Sequence, residues 1–527
     1  MRGDARIMFL KRFFKRGSSY LENPMDFKIF RSKVPINATI LASYKVCNDQ
    51  VNVVIADDDG EGLYIVFEPE LMDLELKVYR ELSKILRFEL KIPPALEAGT
   101  NLFNYIHEQI FRVAENYGFK NLYELSLNRV AYYIARDLGY GYIEPLIQDS
   151  EIEDIKCVGP NIPFMVWHRR FGHLDWLTTN IVLNEYELNS LASKLAHMCG
   201  KHVSIAFPIV DAILPDKHRV SICYGREVSA KSTNICIRKF REKPYTVMHL
   251  TYDFSTLSPL MTCYLWLLIE NRKNIFVLGG TASGKTTLLS ALSALFKPNW
   301  SVDSIEDVPE LKIPVKGWEP LVARHAYFMD DKQFEITLFD LVKVAMRKRP
   351  DYIVVGEIRG EEAYVLFQAA ATGHGCMCTM HADSIISAIK RLSSPPMNVS
   401  PIYIPLMNCA IVLKKIEGAR SVKRRVIGIY EIKSADDYIE VFKWVPSRDI
   451  FAPSTVDSLL SSSFLLRQIA EEKGVSINDI SHELKIRLQF LEDLHAHGIR
   501  EYDDFIDHLK LFYYSRGSEV IRIALER

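Results

Sequence analysis

Apolar residues along this chain recur with two alternating periods, and the switches between them outline its elements. From Phe27 to Phe67 apolar and polar positions alternate in short bursts, as in Asn52-Val-Val-Ile and Leu63-Tyr-Ile-Val, which predicts a small mixed sheet with a turn at 57–60. Helical periods follow over Pro69–Phe88 and Leu102–Leu138, broken near Gly118 and closed by Gly139. Strand patterns return at Ile152–Val158, Phe164–His168, Ile181–Val182, Pro208–Ile213, Arg219–Cys223 and Asn234–Arg238, around an amphipathic helix over Glu185–Cys199. Lys243-Pro244 reads as a hinge. Strands and helices then alternate from Leu250 to Ile432, the signature of a mostly parallel sheet. After Pro446 the pattern turns helical, with helices over Asp457–Lys473, Ser476–Ala496 and Glu501–Phe512, and with Ser476 and Ser481 as plausible helix starts.

The most informative switch lies at Asn274–Leu292. A strand-forming run, Ile275-Phe-Val-Leu, meets Gly279, Gly280, Thr281, Ala282, Ser283, Gly284, Lys285, Thr286 and Thr287, and a helical period follows. This is the phosphate-binding P-loop pattern in its strand–loop–helix setting. The glycines let backbone N–H groups turn toward phosphate oxygens, and the helix points its positive end at the same anion. Lys285 would reach the β- and γ-phosphates, and the Thr286 hydroxyl would ligate Mg²⁺.

Later stretches add candidate chemistry. The strand Asp351-Tyr-Ile-Val-Val-Gly ends at Glu357, placed as an acid emerging beside the P-loop, toward Mg²⁺ or its waters. Glu306 and Asp307, in an acidic stretch after a short strand, are candidates for orienting and deprotonating an attacking water. His374 and His381 bracket one short strand, where a histidine can contact a terminal phosphate. Arg219, Arg226, Arg238 and Arg241 cluster before the core, and Arg324, Arg347, Arg349 and Arg359 lie within it; guanidinium groups stabilise charge on transferring phosphoryl groups.

Bulk properties narrow the class. The length suits three or four domains. A formal net charge of −1 gives no hint of nucleic-acid binding. The nine cysteines form no Cys-x-x-Cys, so neither a zinc site nor a disulfide framework is indicated, and a reducing, cytoplasmic setting is the simplest fit. No apolar run approaches the roughly 20 residues that span a bilayer. The longest, Leu257–Ile269, reads as a buried helix leading into the P-loop strand. Over residues 1–20, Phe9, Leu10, Phe13 and Phe14 alternate with Lys11, Arg12, Lys15 and Arg16. Such a segment could lie on an anionic membrane, dock on a partner, or remain a loose tail.

Together the P-loop, the acidic box Ser304–Glu310, the stretch Arg349–Arg359 and the histidine box Thr372–His381 resemble the type II/IV secretion ATPase family. The archaeal branch, which serves type IV pili and the archaellum, is the most similar. The resemblance spans roughly Leu138 to Glu431 and includes Pro208–Asp216 and Ile237–Phe240. It implies an α/β fold: a RecA-like P-loop ATPase core with a parallel-rich sheet, an α+β N-terminal domain before it and a C-terminal helical segment after it. The expected division is 1–115, 116–245, 246–445 and 446–527.

The resemblance also implies roles. The residues of 279–287 would hold ATP, with Thr286 and Glu357 serving Mg²⁺, Glu306 as general base, and His381 at the γ-phosphate with His374 in support. Arg324 and Arg347 would reach the nucleotide region, and Arg219, Arg238 and Arg241 could close the site from the N-terminal domain. The implied assembly is a homo-hexamer at the inner face of the cell membrane, peripherally associated and working on a polytopic membrane platform protein, with no nucleic acid expected. Assembly of a type IV pilus-like filament, an archaellum motor that also rotates its filament, and a nucleic-acid-translocating ATPase are the readings in that order.

Overall fold

The structure, a computed structural model, describes residues 28–89, 102–117, 124–241, 243–324, 335–418 and 421–515. The basic, apolar segment over residues 1–20 lies outside the described residues. The chain forms two compact units that meet in sequence at Lys243.

The first unit is built on one nine-stranded sheet. Its strands are β1 (Thr39–Val46), β2 (Val51–Asp58), β3 (Glu61–Phe67), β4 (Ile152–Cys157), β5 (Pro163–His168), β6 (Trp176–Val182), β7 (Ile209–Ile213), β8 (Arg219–Cys223) and β9 (Asn234–Arg238). Their order is β1-β2-β3-β6-β5-β4-β9-β8-β7. The early meander β1–β3 therefore continues into the later strands through a parallel β3–β6 pairing. The sequence division at 115 does not correspond to a break in this sheet. The helices Asp73–Glu89, Leu102–Asn116 and Glu124–Leu138 share its core, with Leu82, Ile106, Ile110 and Val130 buried among Val53, Val66 and Ile155. Helix Glu185–Met198 starts at a capping box in which Asn184 and Glu187 satisfy each other's backbone N–H groups.

The second unit holds another nine-stranded sheet: β10 (Ile275–Gly279), β11 (Ser301–Glu306), β12 (Gly317–Val322), β13 (Tyr352–Val355), β14 (Gly375–Met380), β15 (Cys409–Gly418), β16 (Ser421–Ile432), β17 (Tyr438–Val445) and β18 (Ile450–Ala452). The order is β12-β11-β13-β14-β10-β15-β16-β17-β18. Pairings from β12 through β15 are parallel and those beyond are antiparallel. The central strands are near-continuous apolar runs because both faces are covered. Alternation along each strand sorts its side chains between two cores. Ile275 and Val277 face one cluster, while Phe276 and Leu278 face the other; Tyr352 and Val354 oppose Ile353 and Val355 in the same way.

One cluster contains the helix Pro259–Glu270, whose residues 260–269 are all buried. That is why its sequence is apolar all round: the sheet covers one side and the terminal helices Phe464–Lys473, Ile477–Ala496 and Tyr502–Ser515 cover another. Trp266 marks the junction, donating to the Tyr513 hydroxyl at 2.6 Å beneath the Arg487 guanidinium. The described residues beyond 446 thus share the core of the second unit.

Two local expectations change. The pattern after Pro446 does not turn helical at once: β18 pairs back on β17 first, through a turn at which Asp449 takes a positive φ. Ser481 is not a helix start but lies inside Ile477–Ala496, because Ser476 and Asp479 already form the capping box. Glu431 ties the terminal helices to the sheet. Its buried carboxylate accepts from the Tyr264 hydroxyl at 2.6 Å and from the Phe464 and Leu465 N–H groups at 2.8 and 3.1 Å, and also from Ser463. Glu431→Ala would strand these buried donors, a loss of about 3 kcal/mol. Hydrogen exchange of the amides in Phe464–Ala496 should then accelerate roughly a hundredfold; unchanged protection would contradict this role.

Candidate functional site

Because β10, β14, β13 and β11 run parallel as neighbours, their C-terminal ends fall at one edge of the sheet. Neighbouring strands lie about 4.8 Å apart, so β10 and β11 are separated by roughly 14 Å. Lys285, Glu306, Glu357 and His381 sit on or just past those ends.

β10 runs into the loop 280–284, and the helix Lys285–Ser293 begins immediately after it. Gly284 adopts φ +95°, a left-handed conformation that side chains rarely accept, and this turns the chain into the helix. The Ser283 hydroxyl and Lys285 Nζ both donate to the Gly280 carbonyl, at 2.9 and 2.7 Å, folding the loop back on itself. Lys285 is buried at 7% exposure. Burial lowers its pKa, opposed by the negative charges of Glu357 and Asp383. A loop closed by a buried lysine, capped by a helix N-terminus and flanked by two acids fits a phosphate chain carrying Mg²⁺. Thr286 is half-buried in the first helical turn; Thr281, Ala282 and Thr287 are exposed.

β14, rather than β13, is the immediate neighbour of β10. Glu357, expected to emerge beside the P-loop, instead emerges one strand further out. It meets His381, from the end of β14, with His381 Nε2 3.5 Å from Glu357 Oε1. Asp383, two residues on, approaches the loop so closely that a Cβ on Gly280 would lie 3.4 Å from its Oδ1. Its position brings a further acidic group to this edge, one to which the sequence reading gave no role. His374 sits at the other end of the six-residue strand β14, roughly 20 Å away, bonded to the Thr372 hydroxyl and the Ala369 carbonyl. It is therefore not beside His381, and the supporting role expected for it has no contact here.

Glu306 ends β11. Its Oε1 accepts from the N–H groups of Glu310 and Leu311 at 2.9 and 3.0 Å, while Oε2 is buried with no partner among the described residues. Burial is the main cause that pushes its pKa up to about 7; the two backbone hydrogen bonds oppose it. A carboxyl group that titrates near neutrality, with one oxygen anchored and one unsatisfied, is equipped to take a proton. Gly356 explains how it fits: a Cβ at that position would stand 3.2 Å from Glu306 Cγ. The glycine just past β13 leaves room for the acid on β11. The strand ends are laced together by Gly356 N–H to the Ile305 carbonyl (2.9 Å), the Thr379 hydroxyl to the Gly356 carbonyl (2.7 Å), and an Arg359–Asp307 ion pair.

The arginines are distributed differently. Arg324 forms an isolated bridge with Ile336, and Arg347 lies exposed in the last turn of the helix Leu338–Lys348. Neither makes a described contact with the strand-end cluster. In the first unit, Arg219 and Arg238 are cross-strand neighbours on β8 and β9. Arg219 pairs with Asp211 and Arg238 with Asp154, at 2.5 and 3.0 Å, and Arg241 lies 4.0 Å from Glu151. Among the described residues no cluster of three His, Cys, Asp or Glu side chains forms a metal-binding group, and no helix is long and apolar enough to cross a membrane.

A P-loop strand separated from its acid strand by one inserted strand, within a parallel sheet covered on both faces, defines a RecA-like P-loop core. Residues 178–414 match the family model described as Type II/IV secretion system protein. An uncharacterized protein of Methanocaldococcus jannaschii, MJ0900, is 37% identical over 478 residues, covering 85% of each chain. The type IV secretion system protein PtlH of Bordetella pertussis is 26% identical over 55% of this chain and 92% of its own. Among solved structures, the Legionella pneumophila ATPase DotB aligns at 18% identity over 72% of this chain and 92% of its own, with a TM-score of 0.40; the strand order itself carries the fold assignment. The chain belongs to the type II/IV secretion system protein family, a family of secretion and pilus ATPases, and nucleotide binding follows from that membership.

The unsatisfied carboxyl of Glu306 also predicts a pH signature. Its folded pKa of about 7 exceeds the ordinary 4.5. The folded chain therefore holds a proton that the unfolded chain has lost, and stability falls as pH rises between those values. Glu306→Gln removes the titration. Its stability relative to wild type should rise by about 2 kcal/mol between about pH 5.5 and about pH 8.5. Urea unfolding at the two pH values checks this; a constant difference would mean that Glu306 is already ionised when folded.

Proposed function

We propose that this protein is a Mg²⁺-dependent ATPase motor, working as a homo-hexamer at the inner face of the cell membrane. There it drives assembly of a type IV pilus-like filament through a polytopic membrane platform protein. The observation that carries the catalytic part is the convergence of Lys285, Glu357, His381 and Glu306 on one sheet edge. Family membership supports the motor part.

In this reading Lys285 and the N–H groups of the loop hold the β- and γ-phosphates, and the Thr286 hydroxyl and Glu357 hold Mg²⁺, which supplies charge neutralisation at the phosphates. The roughly 14 Å between β10 and β11 is room for the phosphate chain and an attacking water. Glu306 Oε2 accepts the proton of that water, and its near-neutral pKa suits the task. His381, beside Glu357, contacts the γ-phosphate and registers its loss. Arg347, exposed in the last turn of its helix, is a cation available to complete the site within a ring.

Lys285→Ala should abolish both nucleotide binding and turnover. Glu306→Gln should retain binding while phosphate release drops by about 10² to 10⁴-fold. Wild-type turnover by Glu306→Gln would remove Glu306 from the chemistry and, with it, the catalytic half of the proposal.

A further inference from the structure

The run Lys423-Arg424-Arg425 on β16 separates its three cations by strand alternation. Lys423 and Arg425 point to one side, where both pair with Asp449: Lys423 Nζ at 3.0 Å and Arg425 at 2.8 and 2.9 Å through two guanidinium nitrogens. Arg424 points to the other side and reaches the P-loop. Its Nε donates to the Ala282 carbonyl at 3.1 Å, and its Cδ lies 3.2 Å from where a Gly284 Cβ would stand. Among the described residues no carboxylate pairs with Arg424. Its two terminal amino groups are thus free to bind an anion at the mouth of the loop.

A second cation shares this face. In the antiparallel ladder Arg424 stands directly opposite Lys415 of β15, the strand that pairs with β10 beside the P-loop. The position of the pair matters. Leu413 is in register with Gly279, so Lys415 lies two residues past the end of the P-loop strand on the same face.

We infer that Arg424, with Lys415 opposite it, is a phosphate-binding element of the nucleotide site, supplied by the β15–β16 hairpin of the same chain. Its guanidinium leaves the Ala282 carbonyl to take a bidentate hold on the phosphate chain of ATP or ADP, from the side opposite Glu357 and His381. This rests on the nucleotide reading of the P-loop. It adds a contact that neither the P-loop pattern nor the acidic boxes supply.

The test is competition of ADP, AMP and adenosine against a fluorescent ADP analogue, using the full-length chain. Arg424→Ala should weaken ADP binding by about tenfold or more and leave adenosine unchanged, with AMP between them. Arg424→Lys, which keeps the charge and loses the fork, should recover part of the loss. Unchanged ADP affinity would overturn the inference. So would an equal loss for ADP and adenosine, which would assign Arg424 to the base or to bracing of the loop. Should Arg424→Ala fail to fold, Lys415→Ala reads the same element: ADP affinity about fivefold weaker supports it, and wild-type affinity contradicts it. Lys285→Ala separates the two levels, because wild-type ADP binding by that variant would refute the nucleotide site itself.

Discussion

Parallel pairing in the order β11–β13–β14–β10 is the constraint on which the site depends. Parallel strands share a direction, so all four C-terminal ends open at one edge, and the chain must leave the sheet there in loops. Loops at such an edge can carry polar groups at no cost to the sheet, whose strands are buried on both faces. The P-loop, Asp383 and His381, Glu357, and Glu306 follow from four successive strand ends. Moving any one strand would separate the lysine from the acids.

Within that edge, the energetic tension centres on Glu306. A carboxylate at 3% exposure should be fully hydrogen-bonded or neutral, and this one is half satisfied. Two backbone donors hold it in place without fully ionising it. The absence of a side chain on Gly356 lets it pack against the neighbouring strand. A Cβ at Gly356 would crowd Glu306 Cγ at 3.2 Å, and the carboxylate of the neighbouring strand stands one residue later, at Glu357. Position and protonation are set together.

Much of this was legible in the sequence, for a physical reason. The P-loop is a local pattern: its strand, glycines and helix are contiguous, and the structure keeps them so. The apolar helix over Leu257–Ile269 was equally legible, because a helix buried all round has no polar face to hide. Non-local pairing was not legible. That β14 inserts between β10 and β13 depends on sheet order, and no residue in Asp351–Glu357 reports it. The parallel joining of β3 to β6 crosses more than a hundred residues, so the early meander looked like a separate small sheet. Ser481 read as a cap because serine followed by an acid resembles one, yet the helix begun at Ser476 simply continues through it. Asp383 stood in plain view after His381, but its approach to Gly280 needs coordinates. Arg424 could be singled out only once the ladder showed which of three adjacent cations lacks an acid among the described residues.

In the proposed mechanism a dry, half-satisfied carboxylate at the end of β11 takes the proton during hydrolysis. The decisive measurement is the pH dependence of the saturated ATP turnover rate. With Glu306 as the base, that rate climbs on the acid side with an apparent pKa of about 7 and levels off above it. A rate that is already flat across that range would contradict it.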